Sequence, residues 1–152
     1  MKNVKFRGKC LDAGKWVYGD LIQTPMDNGH IQYKIWDHSE GAGLFRVMPE
    51  SVGMFIGEYD KNGREMYTGD IILFWRPAIY PEERSQNGDV TDNFVKCLGV
   101  INIDSFMTGA HALYYDSKSK MWLPGSLFTP TDIENILEIA GNVVDNPLLL
   151  QI

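Results

Sequence analysis

The chain has 152 residues, 44% hydrophobic and 22% charged, with a net charge of −6 at neutral pH. This length suits one domain able to bury a core without a metal or disulfide, and the composition is that of a globular protein. The acidic balance disfavours non-specific attraction of the whole molecule to nucleic acid, and no apolar run approaches the roughly 20 residues of a membrane span.

The two cysteines, Cys10 and Cys97, form no CxxC and no metal spacing. The first ten residues lack the apolar core of a signal peptide. Together these lead to the expectation of a cytoplasmic protein with reduced thiols. Charge is uneven along the chain. Residues 1–15 carry Lys2, Lys5, Arg7, Lys9 and Lys15 against only Asp12. Lysines on a strand edge block pairing with other chains, which is the plainer reading of this patch; a docking surface is the other.

Eighteen aromatic residues (four Trp, seven Tyr, seven Phe) lean the chain towards β structure. Val4 and Phe6 alternate with Lys5 and Arg7, a short first strand ending at Gly8. After the turn at Asp12-Ala13-Gly14, Lys15–Ile22 reads as a second strand with a bulge at Gly19. Asn28-Gly29 signals a hairpin turn, and Ile31, Tyr33 and Ile35 then share one face of a third strand. A loop at 39–43 leads into strand Leu44–Met48, and Pro49–Val52 forms one helical turn.

Met54-Phe55-Ile56 precedes a second Asn-Gly turn at Asn62-Gly63. Gly69-Asp70 then turns the chain into Ile71–Trp75, apolar throughout and either buried on both faces or misread at its end. Residues 76–93 break the pattern, and two readings stand for them: an extended hairpin arm or a disordered loop. Phe94–Ile103 is a strand, and His111–Tyr115 with Met121–Leu123 a hairpin. Further on, Thr131-Asp132-Ile133-Glu134 is a capping box opening a helix, while Ile136–Ala140 also fits a strand. Asp145-Asn146-Pro147 starts a last helical turn.

Val47-x-Pro49-Glu50-Ser51-Val52-Gly53, followed by Gly57, Asp60-Lys61, Gly63, Tyr67 and Gly69-Asp70-Ile71, resembles the core signature of the YopX family. Phe6-Arg7-Gly8-Lys9 and Trp16-Val17-Tyr18-Gly19 resemble that family's opening strands, and Gly141-Asn142 with Asn146-Pro147 its closing motif. The resemblance implies a phage or prophage origin and an SH3-like small barrel with additional strands. It carries no catalytic or ligand residue over to this chain. It favours the strand at 136–140, where Ile139-Ala140-Gly141-Asn142 is one residue longer than the family's Ile-Gly-Asn.

Candidate chemistry is sparse. Glu58, Asp60 and Asn62 mimic the start of a calcium loop, but Gly69 stands where a bidentate Glu is needed, so the hairpin turn is preferred. Gly41-Ala42-Gly43 lacks the third glycine and helix of a dinucleotide loop. His30, His38 and His111 share no metal spacing, and Ser126 lacks the second glycine of a nucleophile elbow. No catalytic, cofactor-binding or metal-binding residue is therefore expected.

One constellation remains. Lys5, Arg7 and Lys9 alternate along the first strand, with Trp16 and Tyr18 on the strand expected to pair with it. Cations interleaved with aromatics suit single-stranded nucleic acid, although aromatics also dominate ordinary cores. The expectation is thus a mainly β single domain over 1–152: an N-terminal meander (1–57), then an SH3-like barrel (58–152) carrying the insertion 76–93, with short helical turns. Functionally, the expectation is a non-catalytic accessory protein that binds or assembles, as a homo-oligomer or with a phage or host protein in the bacterial cytoplasm. Binding of single-stranded nucleic acid through Lys5, Arg7, Lys9, Trp16 and Tyr18 is the alternative.

Overall fold

The structure, a computed structural model, describes residues 4–39, 43–84, 93–103, 109–127 and 135–150. The chain divides into two compact units, Met1–Glu58 and Tyr59–Ile152. Strands are antiparallel throughout, and the only helical elements described are 3-10 turns.

In the N-terminal unit, strands β1 (Phe6–Lys9), β2 (Trp16–Pro25), β3 (Ile31–Asp37), β4 (Gly43–Arg46) and β5 (Gly53–Tyr59) lie in the order β4-β3-β2-β1-β5. The β2–β3 hairpin closes at Gly29, whose φ of 82° needs a residue without a Cβ. Asn28 Oδ1 accepts the His30 N–H at 3.0 Å. β2 extends to Pro25, which faces Ile31 at the strand end, where its missing N–H costs least.

Alternation sends Val17 and Ile35 to one face, where they join Cys10 and Val47 in a buried cluster flanked by Phe6, Leu21, Tyr33, Phe45 and Val52. A single bridge between Cys10 and Val47 curls the sheet around this cluster. Gly8 lies so close to Val47 that a Cβ there would sit 2.8 Å from its side chain.

The expected bulge at Gly19 is not formed. Pairing runs in register from Phe6↔Gly19 to Lys9↔Trp16 on one side and from Asp20↔Trp36 on the other. Glycine stands there because a Cβ would overlap the Trp36 carbonyl oxygen. The helical turn after β4 is a 3-10 turn at Pro49–Ser51, whose Ser51 hydroxyl accepts the Lys9 N–H at 2.8 Å.

The C-terminal unit contains β6 (Glu65–Tyr67), β7 (Asp70–Pro77), β8 (Phe94–Ile103), β9 (Ala110–Asp116), β10 (Met121–Gly125) and β11 (Glu138–Asn142). Five of these form a sheet in the order β10-β9-β8-β7-β11. Its edges are β10 and β11, so the expected barrel does not close among the described residues. The reason is that the last strand enters beside β7 rather than beside β10.

Ile71, Ile72 and Phe74 are fully buried, so the start of β7 is covered on both faces. Phe74 packs into the space left by two glycines. A Cβ at Gly99 or Gly125 would come within 2.7 or 2.6 Å of its ring. In the turn before β7, Gly69 has a φ of 90° and Asp70 Oδ2 accepts the Tyr67 N–H at 2.8 Å.

Of the two readings for the C-terminal third, the strand is found at Glu138–Asn142; the capping box at 131–134 lies outside the described residues. The register shifts between Ile139 and Gly141, so the extra residue, Ala140, is taken up as a β-bulge. A Cβ at Gly141 would come within 2.4 Å of Asn146 Oδ1 and displace that side chain. Asn146 Oδ1 accepts the Asn142 N–H, and Asn142 Oδ1 accepts those of Val144 and Asp145. Paired side-chain turns thus explain the closing Gly-Asn and Asn-Pro pattern.

The connection after β7 starts as a hairpin: Pro77 faces Phe94, and the Ala78 N–H donates to the Asn93 carbonyl at 2.8 Å. A 3-10 turn follows at Pro81–Glu83. Residues 85–92 of the expected arm lie outside the described residues.

Candidate functional site

The β1–β2 register places the five residues singled out in the sequence on one side of the sheet. Arg7 faces Tyr18 and Lys9 faces Trp16, while the intervening Gly8↔Val17 pair points to the buried cluster. Strand alternation puts Lys5 on the same side as Arg7. The Lys5 ammonium lies 5.9 Å from the centre of the Tyr18 ring, and the Arg7 guanidinium 4.8 Å from that of Trp16. Tyr18 is 40% exposed, whereas Arg7 is buried at 7%. Arg7 is therefore covered and lies over the Trp16 ring, while Lys5 and Lys9 are half-buried lysines.

The same face continues across β3 and β4. Asp20 is opposite Trp36, Ile22 opposite Lys34, Lys34 opposite Arg46 and Trp36 opposite Leu44. Sequence reasoning put Ile31, Tyr33 and Ile35 on one face, which the structure turns through Ile35 and Tyr33 towards the buried cluster. Its complement, Lys34 and Trp36 on the outer face, was readable from the same alternation. Charge differs between the two stretches: residues 1–58 hold seven basic and seven acidic side chains, and residues 59–152 seven and thirteen.

Trp36 is held by a short relay. Its indole N–H donates to His38 Nδ1 at 2.8 Å, and His38 Nε2 meets Asp20 Oδ2 at 2.7 Å. Indole is a donor only, so Nδ1 accepts and the imidazole proton sits on Nε2, pointing to Asp20. Nothing in the spacing Asp20, Trp36, His38 announces this; the β2–β3 pairing creates it.

The C-terminal unit holds a second polar cluster. Arg76 pairs with Glu83, which also accepts the N–H groups of Ile79 and Tyr80 at 3.1 and 3.2 Å. The Tyr80 hydroxyl donates to Asp116 Oδ2 at 2.5 Å, and the Lys118 ammonium lies 4.1 Å from the Tyr80 ring centre. Hydrogen bonds from Ser119 and Tyr80 hold the Asp116 carboxyl at about 2, and the same bond lifts the Tyr80 phenol to about 12. Burial pushes the Cys97 thiol up to about 11, against the opposing pull of Arg76. Such shifts stabilise the resting protonation states rather than poise a group for proton transfer near neutral pH.

Asp60 serves the turn, not a cation. Its Oδ1 accepts the Asn62 and Arg64 N–H groups, both at 2.9 Å, and its Oδ2 the Ile139 N–H and Arg64 Nε. Among the described residues no group of three or more His, Cys, Asp or Glu could hold a metal ion, and no helix is long and apolar enough to cross a membrane.

These features define a mainly β protein of two antiparallel sheets, one of which presents cations and aromatic rings together. A family model described as YopX protein matches residues 5–151, and the chain belongs to the YopX family. No curated protein matches it.

Proposed function

We propose that this YopX chain is a phage or prophage accessory protein that acts by binding, and that its ligand is single-stranded nucleic acid. The observation that carries the reading is the register of β1 against β2, which aligns Lys5, Arg7 and Lys9 with Trp16 and Tyr18 on the face opposite the buried cluster. Lysines neutralise phosphates, aromatic faces stack on bases without regard to sequence, and Arg7 supports the Trp16 ring. Lys34 and Arg46 extend the positive line across β3 and β4. The cytoplasm of a bacterial host is the compartment that goes with this ligand. Successive pairing of β7 to β10 supports descent from an SH3-type meander.

Anisotropy of a labelled oligothymidylate of about 16 nucleotides tests the reading. Binding should weaken with salt, with a slope of about −0.7 per phosphate contact. Lys5→Glu with Lys9→Glu should lower affinity at least tenfold and flatten that slope. Equal affinity in wild type and double variant would end the reading.

A second reading, homo-oligomeric assembly, is favoured by one feature of the C-terminal sheet. Its outer face carries the half-buried Leu73, Leu98, Val100, Leu113 and Tyr115 beside the 39% exposed Trp122, an apolar stripe of the kind that proteins pair. Light scattering tests it: a mass that is a multiple of 17.3 kDa supports self-association, and a monomer at high concentration removes it.

A further inference from the structure

The relay that holds Trp36 has no task in the buried cluster. Ile35 is buried among Cys10, Val17 and Val47, whereas Trp36 points the other way and is 40% exposed. An exposed tryptophan needs no partner for its indole N–H, since water would serve. Here the N–H is nevertheless committed to His38, which is itself committed to Asp20. The His38 and Trp36 rings meet edge to face at 69° with centres 5.9 Å apart. The side chain is thus tied at one edge while its ring stays open to solvent.

We infer that Trp36 is a third base-stacking platform of the proposed binding face, with Asp20 and His38 as its positioning residues. The inference rests on the nucleic-acid reading above and extends it. Trp16 and Tyr18 are two residues apart on β2, a spacing of about 7 Å along a strand. Trp36 faces Asp20, so it is the diagonal neighbour of Tyr18 on β3, again about 7–8 Å away. Three rings therefore follow one another in steps about twice the ~3.4 Å rise of a stacked strand. A chain with its bases splayed apart can satisfy that spacing, which is how single strands are read. Lys34, two residues before Trp36 on the same face, lies beside the track to meet a phosphate.

The relay matters because stacking depends on ring orientation. An indole free to rotate would lose conformational entropy on binding; one already fixed loses less. Imidazole suits the task because one nitrogen accepts from the indole while the other donates to a carboxylate. Glutamine at position 38 offers an acceptor and a donor as well, and alanine offers neither.

The same labelled oligothymidylate distinguishes the outcomes. Trp36→Ala should weaken binding about tenfold, the equivalent of about 1.4 kcal/mol, within the range for one stacked base. Trp36→Phe should keep most of the affinity, and quenching of tryptophan fluorescence by the oligonucleotide should be smaller in it than in wild type. His38→Ala should weaken binding about threefold, and His38→Gln should restore it. Quenching in Trp36→Phe does not require Trp36→Ala to fold. Wild-type binding that is lost in the Lys5 and Lys9 double variant but unchanged in Trp36→Ala, with undiminished quenching in Trp36→Phe, would overturn this inference alone. An absence of wild-type binding would overturn both.

Discussion

Asp60 and Ile139 lie 79 residues apart in sequence and are joined by one hydrogen bond, the Ile139 N–H donating to Asp60 Oδ2 at 3.1 Å. Beside it the Lys61 N–H donates to the Leu137 carbonyl at 2.7 Å, and the Arg64 guanidinium to the Ile139 carbonyl at 2.8 Å. β11 is an edge strand, and this turn satisfies its outer backbone groups where another strand would otherwise pair. The Asp-Lys-x-Gly element of the sequence is therefore a cover for a sheet edge.

Asp60→Ala should destabilise the protein by about 3 kcal/mol, because it strands buried N–H groups of the turn and of β11. Asp60→Asn should cost less, since its remaining oxygen still serves Asn62 and Arg64. Urea denaturation measures both. Hydrogen exchange should show the Ile139 amide losing protection first.

Acid should weaken the fold within a defined window. Burial raises the Asp60 pKa, but N–H donors from Arg64, Ile139 and Asn62, with the Arg64 charge, outweigh it and leave the carboxyl below its ordinary value. Glu83 is lowered by Arg76, and Asp116 to about 2. A carboxyl whose pKa is depressed by folding stabilises fully above its unfolded value near 4 and loses that contribution as pH falls through the folded value. The melting temperature should hold above about pH 5 and fall steadily towards pH 2. In Asp116→Asn the drop should be shallower.

Tyr80 gives the opposite sign at alkaline pH. Its phenol is raised to about 12, so the folded state retains the proton more tightly than the unfolded chain. This contribution is complete below about pH 10 and is lost as pH rises through 12. Ultraviolet titration should find late-ionising tyrosines in the native protein, Tyr80 beside Tyr114, whose phenol burial also raises, and one fewer in Tyr80→Phe.

Gly19→Ala tests why a glycine sits in a regular stretch of β2. Overlap of the new Cβ with the Trp36 carbonyl must separate β2 from β3, at a cost of about 3 kcal/mol or more. It should also disturb the Asp20–His38–Trp36 relay, visible as a change in near-ultraviolet circular dichroism. A variant with native stability and spectrum would refute the close approach.

The cysteines should be sluggish. Burial raises the Cys97 thiol to about 11 and moves Cys10 upward as well, so little thiolate exists at neutral pH. Thiol reagents should label the native protein slowly and both cysteines promptly after unfolding.

Local sequence was enough to place the strands. Alternation of Val4 to Lys9, Lys15 to Ile22 and Ile31 to Ile35, with the Asp-Ala-Gly and Asn-Gly turns between, is a local signal, because side-chain direction in a strand repeats every two residues. It also determined which five residues could share a face, since β1 and β2 are joined by a short turn that fixes their register. Tertiary structure alone decided what depends on distant partners. The capping box at 131–134 favoured a helix on local grounds, yet the adjoining residues pair with β7 and take up Ala140 as a bulge. Gly19 looked like a bulge because a glycine within a strand usually marks one, but the backbone of β3 is what excludes a side chain there. Closure of a barrel was settled by which edge the last strand joined. The Asp20–His38–Trp36 relay follows the same rule: hydrogen bonds between side chains on neighbouring strands exist only once the register is set, and no spacing along the chain encodes them.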